Sequence, residues 1–461
     1  MRFDQLAEIT DGKLLTAERA DSTFAGVSLD SRTIQSEQLF IAIRGRNNDG
    51  HQFVDRAMDS GAAGILAQAG CLTDTVRTKD IPVVEVSDSH AAMLQLAASY
   101  LSTIDARRIG ITGSNGKTTT KEFTYRSLQA VTDNVYCSPG NYNNLYGIPL
   151  ALFAMPTETD IAVLEMGISV PGEMTRLSSL VKPHLMIITN VGATHLEFLG
   201  SVQNVAREKL SAMSQAQPNA SLVVNADDPI LMAEANRVTS SLVTFGLKTD
   251  ATFSPDRIEP DDNGMTVVTI EGHRFRLPLF GDYQIMNLLA AYAAVRKLGY
   301  SFDAVNTEEI ELLSGKMRGE RVEVNGITFV SDCYNANPES IKAGLESFDK
   351  MPGGKRRVII LGDMLELGEA SRRHHTEVGQ KLANYKFDLI AVVGPLSTDI
   401  VEGAGTAGVT KERLLHFDNA EACAAEMINI LQPGDLVYLK GSRGIELETI
   451  LSRFINQGGT A

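Results

Sequence analysis

Residues 109–120 read IGITGSNGKTTT, and no other stretch limits the fold as tightly. The run Arg107–Thr112 sets Ile109 and Ile111 in strand-like alternation and then meets glycine. Lys117 and Thr118 open a helix-like segment that reaches Ala130. The order is strand, phosphate loop, helix. Gly113 and Gly116 let the backbone curl so that its N–H groups face an anion, and the helix N-terminus adds positive potential. Lys117 has the reach to meet β- and γ-phosphates, and the Thr118 hydroxyl suits Mg²⁺. The usual pattern has a further glycine where this chain has Ile111, so the chain carries a shorter variant, GxxGKT. The alternative is a plain βα turn with a solvated lysine. The agreement of glycines, lysine, threonine and flanking elements weighs against it.

A chain of 461 residues exceeds what one hydrophobic core serves, so two to four domains are expected. Its formal charge of −15 argues against a broad nucleic-acid surface. Any anionic ligand must then be met by local basic groups. The opening MRFDQLAEITDG has no apolar core of a leader, and no run approaches a membrane span. Cys71, Cys137, Cys333 and Cys423 are far apart and form no CxxC. Reduced thiols in a cytoplasmic protein without membrane insertion are the simplest reading.

Three α/β segments are expected: residues 1–104, 105–314 and 315–461. The first lacks a second phosphate loop, which suggests a substrate-holding domain. Leu39–Ile43 and Ile81–Val86 read as strands, Ala57–Ala69 and Ala91–Leu101 as helices. Arg32, Asn48, Asp49 and His51 could hold a nucleotide or sugar, but turns favour the same residues without a ligand. In the second segment Asp160–Met166 is a buried-strand run with Glu165 at its carboxyl end. Ligands of open α/β sheets gather there, which puts Glu165 beside the loop as an acidic partner for Mg²⁺. His195 stands just past the strand His184–Asn190, either as a metal ligand or as a structural histidine. Lys209, taken alone, is a solvated helix lysine. Asn141, Asn143 and Asn144 are turn formers or face substrate amides and phosphate oxygens. Ser221–Ala226 and Leu242–Phe245 continue the sheet, and Met265–Leu279 reads as two strands around Glu271–Gly272, a hairpin insertion. Asp282–Leu298 is an Ala-rich helix in which Asn287 either reads an adenine edge or serves as a cap. The third segment opens with KMRGERVEV, polar and glycine-bearing, a fair boundary. Strands at Thr328–Asp332, Val358–Leu361, Leu389–Val393 and Leu436–Leu439 alternate with helical patterns, the mark of a second doubly wound sheet. It has no GxGxxG fingerprint, and Asp332, Asp363 and Lys440 stand at its strand ends as a binding edge.

GSNGKTTT, LEMG, THLEFLG with its following EK, NLLAA, GERVEV and YNANPES together resemble the ATP-dependent Mur ligases of peptidoglycan synthesis. The resemblance spans essentially the whole chain in three blocks. DSR and LFIAIRGRNNDGHQF resemble the UDP-binding domain of that family, and YNANPES, LGDMLELG and LKGSRG are similar to its member that adds D-alanyl-D-alanine to UDP-N-acetylmuramoyl-tripeptide. The DNPR stretch of the diaminopimelate-adding relative is absent, and Ser114 stands where many relatives carry Thr.

The resemblance implies a small UDP-binding domain, a central P-loop ATPase-like sheet with a hairpin insertion, and a C-terminal Rossmann-like domain. It implies ATP and two Mg²⁺ ions as cofactors, and a monomer. Gly113, Ser114, Asn115, Gly116, Lys117, Thr118 and Thr119 would cradle the phosphates. Thr118, Glu165, His195 and Lys209 would serve the metal ions, with Lys209 carbamylated so that a cation becomes a carboxylate-like ligand. Asn287, Arg321, Asp332, Tyr334, Asn335 and Asn337 would face adenosine and phosphate, with Arg321 supplying charge to the reaction. Ser31, Arg32, Asp49, Gly50 and His51 would face UDP, and Asn141, Asn143 and Asn144 the muramoyl-peptide. Lys440, Ser442 and Arg443 are implied for the incoming dipeptide, and a hinge is expected near Ser314–Arg321. The alternatives are a diaminopimelate- or lysine-adding relative, folylpolyglutamate synthetase, or a nucleotide-driven switch. Against the last, a GTPase's NKxD base reader is missing.

Overall fold

The computed structural model describes all residues except 46–47, 74–75, 77–79, 240, 262–264, 278–280, 313–315 and 459–461, and the side chains of 457–458. The expected border between residues 314 and 315, and the start of the expected hinge, therefore lie outside the described residues.

Four sheets follow the chain. The first has five strands in the order Lys13–Leu14, Val83–Val86, Gly64–Gln68, Leu39–Ile41, Val27–Ser28, parallel except for the first. The second is a wholly parallel six-stranded sheet: Leu242–Phe245, Ser221–Asn225, Leu185–Ile188, Arg107–Thr112, Ile161–Glu165, Val135–Cys137. A three-stranded antiparallel sheet, Arg257–Pro260, Thr266–Ile270 and His273–Leu277, follows it. The last sheet runs Glu320–Val324, Ile327–Ser331, Asp435–Lys440, Arg356–Gly362, Leu389–Val393, Leu414–Phe417, with only the first strand antiparallel.

The central sheet is buried on both faces, which is why its strands read as continuous apolar runs. Ile109, Ile111, Leu185 and Ile187 enter one core together with the helix Asp282–Lys297. Met186, Ile188, Leu164 and Met166 enter the other. Each fully buried aliphatic side chain contributes about 1.5–3 kcal/mol. Gly110 lies on the second face, where an added Cβ would strike the sulfurs of Met186 and Met166. The strand that delivers the phosphate loop therefore sits at the middle of the sheet.

One expectation is corrected and two are extended. Ala57–Ala69 is not one helix: Val54–Asp59 is helical and Gly64–Gln68 is a buried strand. Gly61, at φ +93°, ends the helix, and Gly64 lets the strand press against the Phe3 ring. The GERVEV stretch is itself a strand, because Glu320–Val324 pairs with Ile327–Ser331 around Asn325 (φ +53°) and Gly326 (φ +74°). That Asn-Gly pair is a hairpin signal in its own right. The hairpin around Glu271–Gly272 exists and gains a third strand, Arg257–Pro260.

Candidate active site

The helix Lys117–Gln129 begins at Gly116, whose φ of +81° suits only glycine, and an added Cβ there would meet the Asn287 amide. The Thr120 hydroxyl donates to Asn287 Oδ1 at 3.2 Å, and Asn287 Nδ2 donates to Gln284 at 3.2 Å. Asn287 thus backs the phosphate loop and still lines the cavity beside it. Ser114 shares a 2.9 Å hydrogen bond with Thr194 and accepts the Gly192 N–H at 2.9 Å. The Asn115 N–H donates to Asn190 Oδ1 at 2.9 Å. Lys117 Nζ folds back to the Gly113 carbonyl at 2.8 Å. Burial pushes its ammonium down from the ordinary lysine range; Glu165 opposes that, and Arg318 adds to it. Thr118 donates to Glu165 Oε2 at 2.7 Å, while Asn143 Nδ2 donates to Oε1 at 2.7 Å. Hydroxyl and carboxylate oxygens at one point are the hard donors Mg²⁺ takes alongside phosphate oxygens. Among the described residues no three His, Cys, Asp or Glu side chains converge as a metal centre. An ion here would thus lean on the nucleotide for its remaining ligands.

His195 has a left-handed backbone, φ +54°, and its Nδ1 lies 2.6 Å from Glu366 Oε2. Glu366, itself at φ +63°, is held below the usual carboxylate range by that histidine. Lys209 is 1% exposed, so the solvated-lysine reading is overturned. Burial, and then the charge of Lys117, drive its ammonium well below the ordinary range. A buried lysine without charge is a nucleophilic amine.

A cavity of about 1210 Å³ opens over these groups, lined by Asn115, Lys117, Thr119, Asn143, Asn144, Glu165, His195 and Asn287 from the central sheet. From the C-terminal sheet come Arg318, Asp332, Tyr334, Asn335, Glu339, Glu366 and Lys440. The two domains touch directly. Asn115 and Asn337 exchange two side-chain hydrogen bonds, and the Ala193 N–H donates to Glu339 at 3.2 Å.

Several expected residues lie elsewhere. Arg321 is exposed on the edge strand and does not line the cavity. Arg318 does, with its guanidinium 3.8 Å from the Tyr334 ring centroid. Lys440 reaches the cavity but is committed to Asp332 at 2.7 Å, and Asp332 also accepts the Tyr438 hydroxyl at 2.8 Å. Ser442 is buried and accepts the Leu365 N–H at 2.9 Å, while Arg443 pairs with Glu448. Neither lines the cavity, nor does the buried Asp363. Asn141 is exposed outside it, and Asn144 accepts the N–H groups of Tyr146 and Gly147.

In the first domain the candidate residues hold one another. Arg32 clamps Asp30, whose acid is drawn down to about 2. Asp49 accepts from His51 Nδ1 at 2.6 Å and pairs with Arg44, His51 Nε2 accepts the Gln68 N–H, and Gly50 lies against the Ile43 backbone. Ser31 is buried, with its carbonyl toward Ser60. From this domain Gly45 and His90 line the cavity, and the Ser31–Arg32 and Asp49–His51 stretches do not.

Lys121 escaped the sequence reading. Its side chain is fully buried and Nζ donates to the carbonyls of Ser138 (2.7 Å) and Gly140 (3.1 Å), anchoring the segment that leads to Asn143. Its position one turn after Lys117 on the same helix was the available signal. Glu339 and Glu366 were missed too, although both sit inside motifs already singled out, YNANPES and LGDMLELG.

Three family descriptions match the chain in order: "Mur ligase family, catalytic domain" over residues 23–101, "Mur ligase middle domain" over 111–295, and "Mur ligase, glutamate ligase domain" over 317–443. The chain is 34% identical over 457 residues to the UDP-N-acetylmuramoyl-tripeptide–D-alanyl-D-alanine ligase of Bacillus subtilis, covering 98% of this chain and 97% of the relative. It is similar in structure to MurF from Acinetobacter baumannii, with TM-score 0.86, 27% identity, and 99% and 98% of the two chains covered. It is also similar to a MurF ligase from Thermotoga maritima solved with ADP, with TM-score 0.81, 28% identity, and 94% and 98% covered.

Proposed function

The chain belongs to the Mur ligase family, and from that premise we infer that it is an ATP-dependent ligase joining D-alanyl-D-alanine to UDP-N-acetylmuramoyl-tripeptide in peptidoglycan synthesis. A carboxylate resists amines because its charge repels them and oxide leaves badly. In the first step a carboxylate oxygen of the tripeptide attacks the γ-phosphorus, the bond to the β-bridging oxygen breaks, and ADP leaves. The amine of the dipeptide then attacks the acyl carbon of the resulting acyl phosphate. The nitrogen loses a proton, and phosphate departs with the acceptor's oxygen.

The first step brings an anion against a polyanion, a repulsion of about 4 kcal/mol per charge pair at 4 Å and an effective dielectric constant of 20. Lys117 and Arg318 supply positive charge on the two sides of the cavity. The residues fit Mg²⁺ as well. Thr118 and Glu165 would hold one ion, and His195 with a carbamate on Lys209 a second, and such ions would neutralise phosphate charge. Burial disfavours the Lys209 ammonium, and the neutral amine is the form that takes up CO₂ and releases a proton. In this reading residues 1–104 hold the UDP end, 105–314 the nucleotide, and 315–461 the dipeptide. Closure of the third domain keeps water from the acyl phosphate. The reaction runs in the cytoplasm on a monomer; no helix among the described residues is long and apolar enough to cross a membrane.

The observation that carries this reading is the single cavity into which Lys117, Glu165 and the segment around Asp332 and Tyr334 all open. The test is phosphate release from ATP with UDP-N-acetylmuramoyl-tripeptide, offering D-alanyl-D-alanine against free amino acids. Release should require the dipeptide. Heavy oxygen placed in the acceptor's carboxylate should appear in the phosphate, and unlabelled phosphate during productive turnover overturns the scheme.

A further inference from the structure

The phosphate-loop residue Asn115 is held from its own domain only through its backbone. Its N–H donates to Asn190 Oδ1 at 2.9 Å, and its carbonyl accepts Asn190 Nδ2 at 3.1 Å and the Thr189 hydroxyl at 2.5 Å. The side chain is given to the other domain. Asn115 Nδ2 donates to Asn337 Oδ1 at 3.2 Å, and Asn337 Nδ2 donates to Asn115 Oδ1 at 2.8 Å. Asn337 is 3% exposed and caps the helix Pro338–Lys350, where its Oδ1 also accepts the Ser340 N–H at 2.9 Å. That third bond fixes which of the two amide atoms is the oxygen, and with it the direction of both bonds to Asn115. Each asparagine therefore satisfies the other instead of a nucleotide. Two residues further along, Glu339 receives the Ala193 N–H, so the same helix end grips both loops of the central rim.

We propose that Asn337 is a positioning residue which, through Asn115, ties docking of the C-terminal domain to the shape of the phosphate loop. Ser114 and Gly116 flank Asn115, so the side-chain pair adds the docked domain as a further restraint on a loop whose backbone Asn190 and Thr189 already hold. When the domain leaves, the Asn115 amide loses both side-chain bonds and the loop keeps only its backbone restraints. Linkage makes the effect mutual: a nucleotide that needs the curl favours docking, and docking raises nucleotide affinity by the same factor. The amine site is thereby completed only over a loop already shaped for ATP. The inference rests on the ligase reading for its dipeptide readout.

The test uses the full chain as wild type, Asn115→Ala, Asn337→Ser and the double variant. Serine is itself a good helix cap, so Asn337→Ser keeps the helix and removes only the reach to Asn115. Two quantities are measured: affinity for a non-hydrolysable ATP analogue, and KM and kcat for D-alanyl-D-alanine in phosphate release. Asn337→Ser should raise the dipeptide KM about tenfold, with kcat at saturation within about threefold of wild type and nucleotide affinity weakened. The double variant should be no worse than the worse single. Losses that multiply in the double variant, or an unchanged dipeptide KM in Asn337→Ser, overturn the proposal. If the wild type releases no phosphate with both substrates, it is the ligase reading that fails. Non-additive loss of nucleotide affinity then still supports the pair, and additive loss still overturns it.

Discussion

Two six-stranded sheets present their carboxyl ends to one cavity, and they use their charges in opposite ways. The central sheet leaves its lysines poorly compensated. Lys117 leans on loop carbonyls and Lys209 is buried, both with ammonium groups made harder to hold. The C-terminal side closes Lys440 on Asp332, keeps Arg318 over the Tyr334 ring at the cavity, and offers the other domain an amide and two carboxylates: Asn337, Glu339 and Glu366. Unmet positive charge marks the side built to take a polyanion. The C-terminal side, where Lys440 and Asp332 already meet each other, contributes the groups that dock. Fold alone does not separate them, since both are doubly wound sheets.

If that division is right, Lys117→Ala gives the largest effect: turnover falls by about 10³-fold while calorimetric binding of the UDP-linked acceptor survives. Retained ligation would erase the contrast. Lys209→Ala comes next, with activity down by about a hundredfold and partly restored by short carboxylic acids that stand in for a carbamate. Added acetate or formate that changes nothing removes Lys209 from the metal site. On the other sheet the effect is on stability. Lys440→Ala leaves the half-buried Asp332 carboxylate without its cation and should cost about 1–3 kcal/mol in denaturant unfolding. Lys440→Met with Asp332→Asn should cost less than the single change, and equal losses would mean the pair is not a closed unit.

The smallest effect is a pH slope. In the uncarbamylated chain burial holds the Lys209 ammonium well below the ordinary 10.5 that it keeps in the unfolded chain. The unfolded state thus binds the extra proton, and stability rises with pH from the lowered value to about 10.5. The slope is at most about 1.4 kcal/mol per pH unit. Lys209→Met should flatten it, measured as unfolding midpoints between pH 7 and 10, and an unchanged slope would mean the lysine is charged when folded.

Much of the central rim was legible because its chemistry is local. Gly113 to Thr118 are contiguous, and Glu165 and His195 follow from where buried strands end. Lys209 was misread because one helix's sequence does not show what packs on it, and Val202–Leu210 is covered by Glu173–Val181, Leu196–Leu199 and Pro229–Val238. Arg321 came from the resemblance and Arg318 was not read; only the pairing of Glu320–Val324 shows that Arg321 stands exposed on an edge strand. Lys440, Ser442 and Arg443 were grouped by proximity in LKGSRG, yet each turns to a different partner once the strand ends. The first-domain turn shows the limit of composition: Arg32, Asp49 and His51 could bind a ligand, and they also satisfy one another.

Lys121 offers an experimental handle. It lies four residues from Lys117, wholly covered and tied to the carbonyls of Ser138 and Gly140. An amine-acylating reagent will leave it unmodified for as long as its helix stays on the sheet, however far the C-terminal domain swings. Mass-spectrometric footprinting can therefore use its silence as an internal standard for separating rigid-body opening from melting of the nucleotide domain.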